Sequence, residues 1–312
     1  MTFDARNARK DARKDPDKGP KKTPDNQPKT PSQRFWQEVR GYAEALIVAY
    51  LIVTFVFTTV GVVGSSMRPT LNGGSGQLPA SLFTGDRVFI PKFETWLRRM
   101  GVMGEYDRGD IVVVREPANA PSLLEQRRRT FFIKRVIGQP GDHLQIREGQ
   151  VILNGEPLDQ SFISSTGEIT PDPLNYPVVT AENGEIVGFQ GLIGGTYDPQ
   201  TGGPAPVDGQ EMQFFYGSTI AALEPVPANT PDDEPYLSEI IIPEGHYFVM
   251  GDNRQSSKGG SEDSRYFGPV ESIAIAGQAT AVIWPPRRDG VWNWRLLNPP
   301  AAFDEVPESS AN

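Results

Sequence analysis

The chain of 312 residues contains no cysteine and only two histidines, His143 and His246. Without cysteine there is no disulfide framework and no thiolate metal site, so the fold must hold on its core alone. Two histidines without ligand spacing argue against a metal centre, and neither a metal nor any other cofactor is expected. Gly73-Gly74-Ser75-Gly76 lacks the Gly-Lys-Ser/Thr that completes a phosphate cradle, and reads as a loop. Long helices are disfavoured too, because 32 Gly and 29 Pro punctuate the chain.

Charge is divided unevenly. Residues 1–41 carry 11 Lys/Arg and 6 Asp/Glu, net +5, so the remainder of a chain of net −9 carries −14. An acidic body opposes nucleic-acid binding. Residues 1–41 are too polar to bury a core and read as a disordered basic tail.

What the chain does have is one long uncharged run, Ala45 to Val63, 19 residues with apolar side chains on every face. As a helix it would span about 28 Å, near the thickness of a bilayer core. It is longer than a cleaved leader's apolar region and lies too far from the N-terminus, so residues 42–63 read as a retained anchor in a phospholipid bilayer. Within reach of it the tail offers Lys29, Arg34 and Arg40 against Glu38, which places the N-terminus in the cytoplasm and the body outside. The β-branched stretch Thr54 to Val63 also allows the end of the run to be a strand.

Beyond the run, short β-rich segments recur between turn signals: 87–91, 110–114, 130–137, 143–146, 150–153, 239–242, 247–250 and 273–284. Their spacing predicts a mainly β fold with an antiparallel all-β body at 64–160 and 239–300. Asn154-Gly155 marks a hairpin tip. Residues 161–238, rich in Gly and Pro, read as a long insertion with strands of its own at 186–192 and 212–216, and 301–312 as a C-terminal tail.

Three features carry chemistry. Gly64-Ser65-Ser66-Met67-Arg68-Pro69-Thr70-Leu71 places a serine hydroxyl just past the anchor. Thr130 to Ile137 alternates so that Phe132, Lys134 and Val136 share one strand face, leaving an amine among apolar neighbours. Burial lowers a lysine's affinity for its proton, and a neutral amine can take a proton from a serine; alternatively Lys134 reaches solvent from an edge strand. Tyr247 to Gly268 runs from an apolar strand into Gly251-Asp252-Asn253-Arg254 and then Asp263-Ser264-Arg265, which reads either as a turn network with an Asp263–Arg265 ion pair or as a hydroxyl-rich holder for an amine. A Ser66–His246–Asp252 triad is a further arrangement, since triads are defined by geometry and not by order.

Gly64 to Leu71, Gly85-Asp86-Arg87-Val88, Phe132 to Asp142, and Met250 to Arg254 with Asp263 to Gly268 together resemble the boxes of bacterial type I signal peptidases (leader peptidases), over roughly residues 43–160 and 239–284. The resemblance implies a membrane-anchored serine endopeptidase that cleaves secretory preproteins after small residues, in an Ala-x-Ala pattern. It assigns the nucleophile to Ser66 and the general base to Lys134, with Asp263 and Arg265 as supports. The lysine-orienting serine is Ser257 counted forward from Asn253, or Ser261 counted back from Arg265. Val62, Met67, Phe132 and Ile133 are implied near the substrate pockets. Two departures stand out: Gly64 occupies a position where some relatives carry an oxyanion-binding serine, and the loop after Arg254 is about four residues longer. The other classes are a serine hydrolase with His246 as base and a non-enzymatic anchored β-domain.

Overall fold

The computed structural model describes residues 30–75, 80, 84–115, 131–165, 170–190, 197–198, 203–204, 219–255 and 261–309. Ser257 and the expected strand at 212–216 lie outside them.

Helix α1 (Pro31–Leu51) runs into a π-helical turn, Ile52–Val56. The segment Arg34–Val56 is long and apolar enough to cross a membrane. This differs at both ends from the 42–63 expected. The helix begins within the supposed tail, and at Phe57 the β-branched and aromatic residues leave the helix to pair in a sheet.

Residues Leu51–Asn312 form one compact unit. It opens with strands β1 (Phe57–Gly61) and β2 (Arg87–Pro91), the unforeseen helix α2 (Lys92–Arg99), and strands β3 (Ile111–Arg115), β4 (Phe131–Gly138), β5 (His143–Arg147), β6 (Gln150–Leu153) and β7 (Glu156–Pro157). A single helical turn, α3 (Ser161–Ser164), leads to β8 (Val178–Glu182), β9 (Glu185–Gln190), β10 (Tyr197–Asp198), β11 (Gly203–Pro204) and β12 (Pro235–Leu237). Then come β13 (Ile240–Ile241), β14 (His246–Met250), the turn α4 (Ser264–Phe267), β15 (Val270–Glu271), β16 (Ile275–Gln278), β17 (Ala281–Trp284), β18 (Arg287–Arg288), β19 (Val291–Trp292) and β20 (Arg295–Leu296).

Every ladder between these strands is antiparallel, as the sequence spacing predicts. One sheet has the order β1-β2-β17-β20, with β1 at its edge; another has β15-β14-β4-β3-β16, with β4 near its centre. The expected continuous strand at 273–284 is two strands serving these two sheets, separated at Ala279-Thr280. The hairpin tip is borne out: Leu153 pairs with Glu156, and Asn154 and Gly155 take φ of 52° and 84°, the left-handed values such a turn needs.

In the 161–238 region β9 pairs with β8, a strand the sequence pattern did not reveal, and β12 completes the sheet β12-β8-β9. This sheet has no separate core. Tyr176, Val179 and Phe189 pack in the same cluster as Ile137, Leu144 and Phe248. Burial of these rings, about 1.5–3 kcal/mol each, joins the insertion to the body.

Candidate active site

Strand β4 is buried on both faces, which makes its polar residues informative. Val112 and Val114 of β3 cover one face together with Val136, and Ile111 and Val113 cover the other together with Ile133. Lys134 therefore has no edge from which to reach water, and its side chain is only 2% exposed. Its Nζ stands 5.1 Å from the centre of the Phe132 ring on the same face, the arrangement that alternation predicts. Burial lowers the Lys134 pKa to about 8, against an opposing pull from Asp263 and with a smaller push in the same direction from Arg265.

Arg135 points to the opposite face. Its Nε and Nη2 donate to Asp252 Oδ1 and Oδ2 at 2.8 and 2.7 Å, and its Nη1 donates to the Gly109 carbonyl at 2.7 Å. Thr70 Oγ1 donates to the same Asp252 at 2.5 Å. The pair thus joins β4, the turn after β14, and the segment that follows Ser66.

Ser66 lies in that segment, half-buried, in consecutive turns from Ser65 to Thr70. Its carbonyl accepts the Asn253 N–H at 3.0 Å, and Asn253 Nδ2 donates to the Ser65 carbonyl at 3.3 Å. Upstream, Val62 N–H bonds the Asp86 carbonyl at 2.8 Å and Val62 O accepts from Gly74 at 3.0 Å. Downstream, the buried Asp86 carboxylate accepts from Asn72 N–H at 2.9 Å, from Arg288 at 2.8 Å and from Asn293 at 3.0 Å. Both ends of the serine turn are therefore clamped. Gly64 has φ of 79°, a conformation in which a side chain is strained, so the missing hydroxyl at this position follows from the backbone.

The third wall is the turn between β14 and α4. Asp263 accepts the Gly251 N–H at 2.9 Å, both Nε and Nη2 of Arg265 at 2.8 and 2.9 Å, and caps α4 through the Arg265 N–H. Burial would raise its pKa, but Arg265 and then Lys134 hold the carboxyl below the usual range. Gly251 is where the parts converge. A Cβ there would strike the Ser66 carbonyl oxygen and the buried side chain of Ser261. Arg254, also buried, donates to Gly251 O at 2.9 Å and to Gln160 at 2.7 Å, and burial lowers its pKa to about 10.

The structure thus joins the Ser66 turn to Ser261 and Asp263 through Gly251, and pairs Asp263 with Arg265, while Asp263 also acts electrostatically on the buried Lys134. Asp252, expected as a triad member, has its carboxylate engaged by Arg135 and Thr70. His246 sits at the start of β14, where its Nδ1 meets the Glu244 carbonyl at 2.9 Å. Met250 at the other end of the strand is about 13 Å away at ~3.3 Å per residue, so no triad forms through His246. His143 pairs with Glu239 at 3.2 Å. Among the described residues no group of three or more potential ligands could hold a metal.

Val62, Met67 and Ile133 share one apolar cluster, while Phe132 lies across β4 beside Lys134. Val62 and Met67 are almost wholly buried, which makes them a backing to the serine turn more than an open wall. The sequence pattern missed Arg135, Thr70 and Asp86, whose partners are distant along the chain; all three fall within the boxes quoted above, which is the one signal that pointed to them.

The model of the signal peptidase, peptidase S26, family matches residues 36–284, four-fifths of the chain. The chain belongs to this family. It is 27% identical over 264 residues to a probable signal peptidase I-2 of a Synechocystis species, covering 84% of this chain and 80% of that one. With the signal peptidase I of Bacillus licheniformis it shares 26% over 248 residues, 79% and 87% of the two chains. A crystal structure of a signal peptidase I from Enterococcus faecalis superposes with a TM-score of 0.30 at 21% identity, over 57% of this chain and 99% of that one. As a signal peptidase family member the chain is a serine peptidase, a hydrolase of peptide bonds, and a purely non-enzymatic β-domain is set aside.

Proposed function

We propose that this protein is a membrane-anchored signal peptidase that removes signal peptides from secretory preproteins, with Ser66 as nucleophile and Lys134 as general base. The observation that carries the reading is the amine of Lys134, sealed in a strand interior, lowered to a pKa of about 8 and acted on by Asp263, whose carboxylate holds the Gly251 N–H beside the Ser66 carbonyl. A neutral amine accepts the hydroxyl proton as Ser66 attacks the scissile carbonyl; the same proton then goes to the leaving amine, and water releases the acyl-enzyme.

Burial supports that protonation state, outweighing the opposing pull of Asp263, Glu262 and Asp252 on the amine. Asp263 and Arg265 fix the turn, and Ser261, packed against Gly251, is the serine we assign to orienting the lysine. The Ser66 N–H makes no main-chain hydrogen bond among the described residues and is free to stabilise the oxyanion. Strand β1 at the sheet edge offers main-chain groups to an extended preprotein segment, and period-two alternation then sends the residues one and three before the cut to one side. Small residues at both are the expected specificity. With the uncharged part of Arg34–Val56 after Glu44 in the bilayer, the basic flank of Lys29, Arg34 and Arg40 keeps the N-terminus cytoplasmic and the body outside.

The test is cleavage of a model preprotein by the purified full chain, with the product N-terminus sequenced. Cutting after Ala-x-Ala is expected. Ser66→Ala and Lys134→Ala should each abolish it, the double variant being no worse than either. Full activity in either single variant would sink the dyad.

A further inference from the structure

Beside the end of the membrane-spanning segment, three cations of the body have no salt bridge among the described residues. Lys92 opens helix α2, and its Nζ donates to the carbonyls of Val53 and Thr54 at 3.0 and 3.2 Å, in the last turn of the membrane-spanning segment, which ends at Val56. Arg99 closes the same helix and donates to the carbonyls of Ile273 and Ile275, both at 3.2 Å. Arg115 ends β3, its guanidinium 5.7 Å from the centre of the Phe131 ring. These three line one depression of about 230 Å³, with Trp96, Phe131 and Ile273 around it. No carboxylate is among its lining residues, and none of the three cations has a salt bridge among the described residues.

Three cations facing one cavity repel one another, and their recorded partners are neutral carbonyls and a ring. In a body that is otherwise acidic, this is a place for an anion. The apolar rim narrows the choice further. Trp96, Phe131 and Ile273 are 49%, 55% and 67% exposed, too much apolar surface for a site meant for a water-soluble ion alone. Aromatic side chains beside cations at the end of a membrane span are what a lipid headgroup region selects, with the ring at the level of the ester groups and the cation on the phosphate. The connection of Lys92 to Val53 and Thr54 fixes the depression at that level. Its anionic ligand would come from the bilayer.

We infer that Lys92, Arg99 and Arg115 bind the headgroup phosphate of an anionic phospholipid, with Trp96 and Phe131 seated among the adjoining lipids. The inference rests on the proposed anchoring of Arg34–Val56 in a membrane. It adds a lipid-recognition site at the base of the catalytic body, on the strand that carries Lys134 three residues beyond Phe131.

Native mass spectrometry of the full chain in a neutral detergent, titrated separately with phosphatidylglycerol and phosphatidylcholine, tests it. Phosphatidylglycerol should be retained at least tenfold better. The variant K92Q/R99Q/R115Q should lose on the order of 100-fold of that affinity, about fivefold per charge, while K92R/R99K/R115K keeps it. Retention of phosphatidylglycerol by the neutralised variant, or equal binding of the two lipids by the wild type, overturns the site. Displacement of the lipid by millimolar inorganic phosphate would make it a site for a free anion and overturn the lipid assignment. Flotation of the full chain on phosphatidylcholine vesicles reads the anchor separately. A chain that fails to float defeats the anchoring reading, whereas one that floats but shows no preference in the titration defeats only this inference.

Discussion

Arg135 and Asp252, 117 residues apart in the chain, meet as a two-pronged ion pair at 2.8 and 2.7 Å with both side chains closed to solvent. The pair ties the strand that carries Lys134 to the turn whose next residue, Asn253, holds the Ser66 carbonyl. Taking two charges out of water makes such a pair a doubtful source of net stability, but it makes the geometry single-valued.

Removing one partner exposes that arrangement. Asp252→Ala leaves Arg135 buried beside Arg254 with no carboxylate, and the expected cost is about 3–5 kcal/mol of unfolding free energy, measured by urea denaturation. Arg135→Lys keeps the charge and loses the fork, so activity should fall further than stability. A loss below about 1 kcal/mol in Asp252→Ala would show that the pair does not hold the turn.

The rate should report the lysine. With Lys134 as the proposed general base, activity needs the neutral amine, so kcat/KM should climb about tenfold per pH unit up to a midpoint near 8 and level off above it. A rising limb centred near 6.5 would instead mark a histidine.

Lys134 should also be a burden on the fold. Its pKa is about 8 in the folded state against 10.5 when unfolded. Below pH 8 both states hold the proton and the folded state bears the whole penalty, on the order of 3 kcal/mol; between 8 and 10.5 only the unfolded state keeps the proton, and stability rises with pH. Lys134→Met should therefore be inactive yet more stable at pH 7, with a thermal midpoint that gains little further at pH 10. A drop in the midpoint at pH 7 would show that the amine is not strained. Lys134→Arg should be inactive as well, because a guanidinium stays protonated up to about pH 12.

Gly251→Ala inserts a methyl group between the Ser66 carbonyl and Ser261. Backbone must shift to make room, and displacement of the proposed nucleophile by about 1 Å would cost on the order of 100-fold in rate. Single-turnover cleavage by a variant that still unfolds cooperatively is the measurement; a rate within twofold of wild type would mean that the turn is not held at Gly251.

Much of this was legible along the chain where the signal is local. Lys134 betrays itself by standing between Phe132 and Val136 in an alternating strand, and the Asn154-Gly155 tip declares its turn type. Strand β8 escaped because its five residues follow directly on Pro177 in a Gly- and Pro-rich stretch, and α2 because its eight residues with Arg98 and Arg99 look like a solvated loop. The anchor was set several residues too late, since an uncharged β-branched run satisfies lipid and a sheet alike; only pairing of Phe57–Gly61 with Arg87–Pro91 separates the two. Arg135, Thr70 and Asp86 act through partners far away in sequence, and no local pattern can name such partners.

Val56 is followed directly by Phe57 of β1, and Ser66 comes ten residues after Val56. Ten residues reach at most about 35 Å, and part of that length is taken up by the β1–β2 ladder and the bend at Gly64. With the span in a bilayer, the hydroxyl works on a short leash. On the proposed reading it would meet only bonds that emerge beside the lipid, while the same three-residue pattern deep in a released, folded protein would stay out of range, and secreted proteins would be protected from the enzyme by distance before any pocket has tested their sequence.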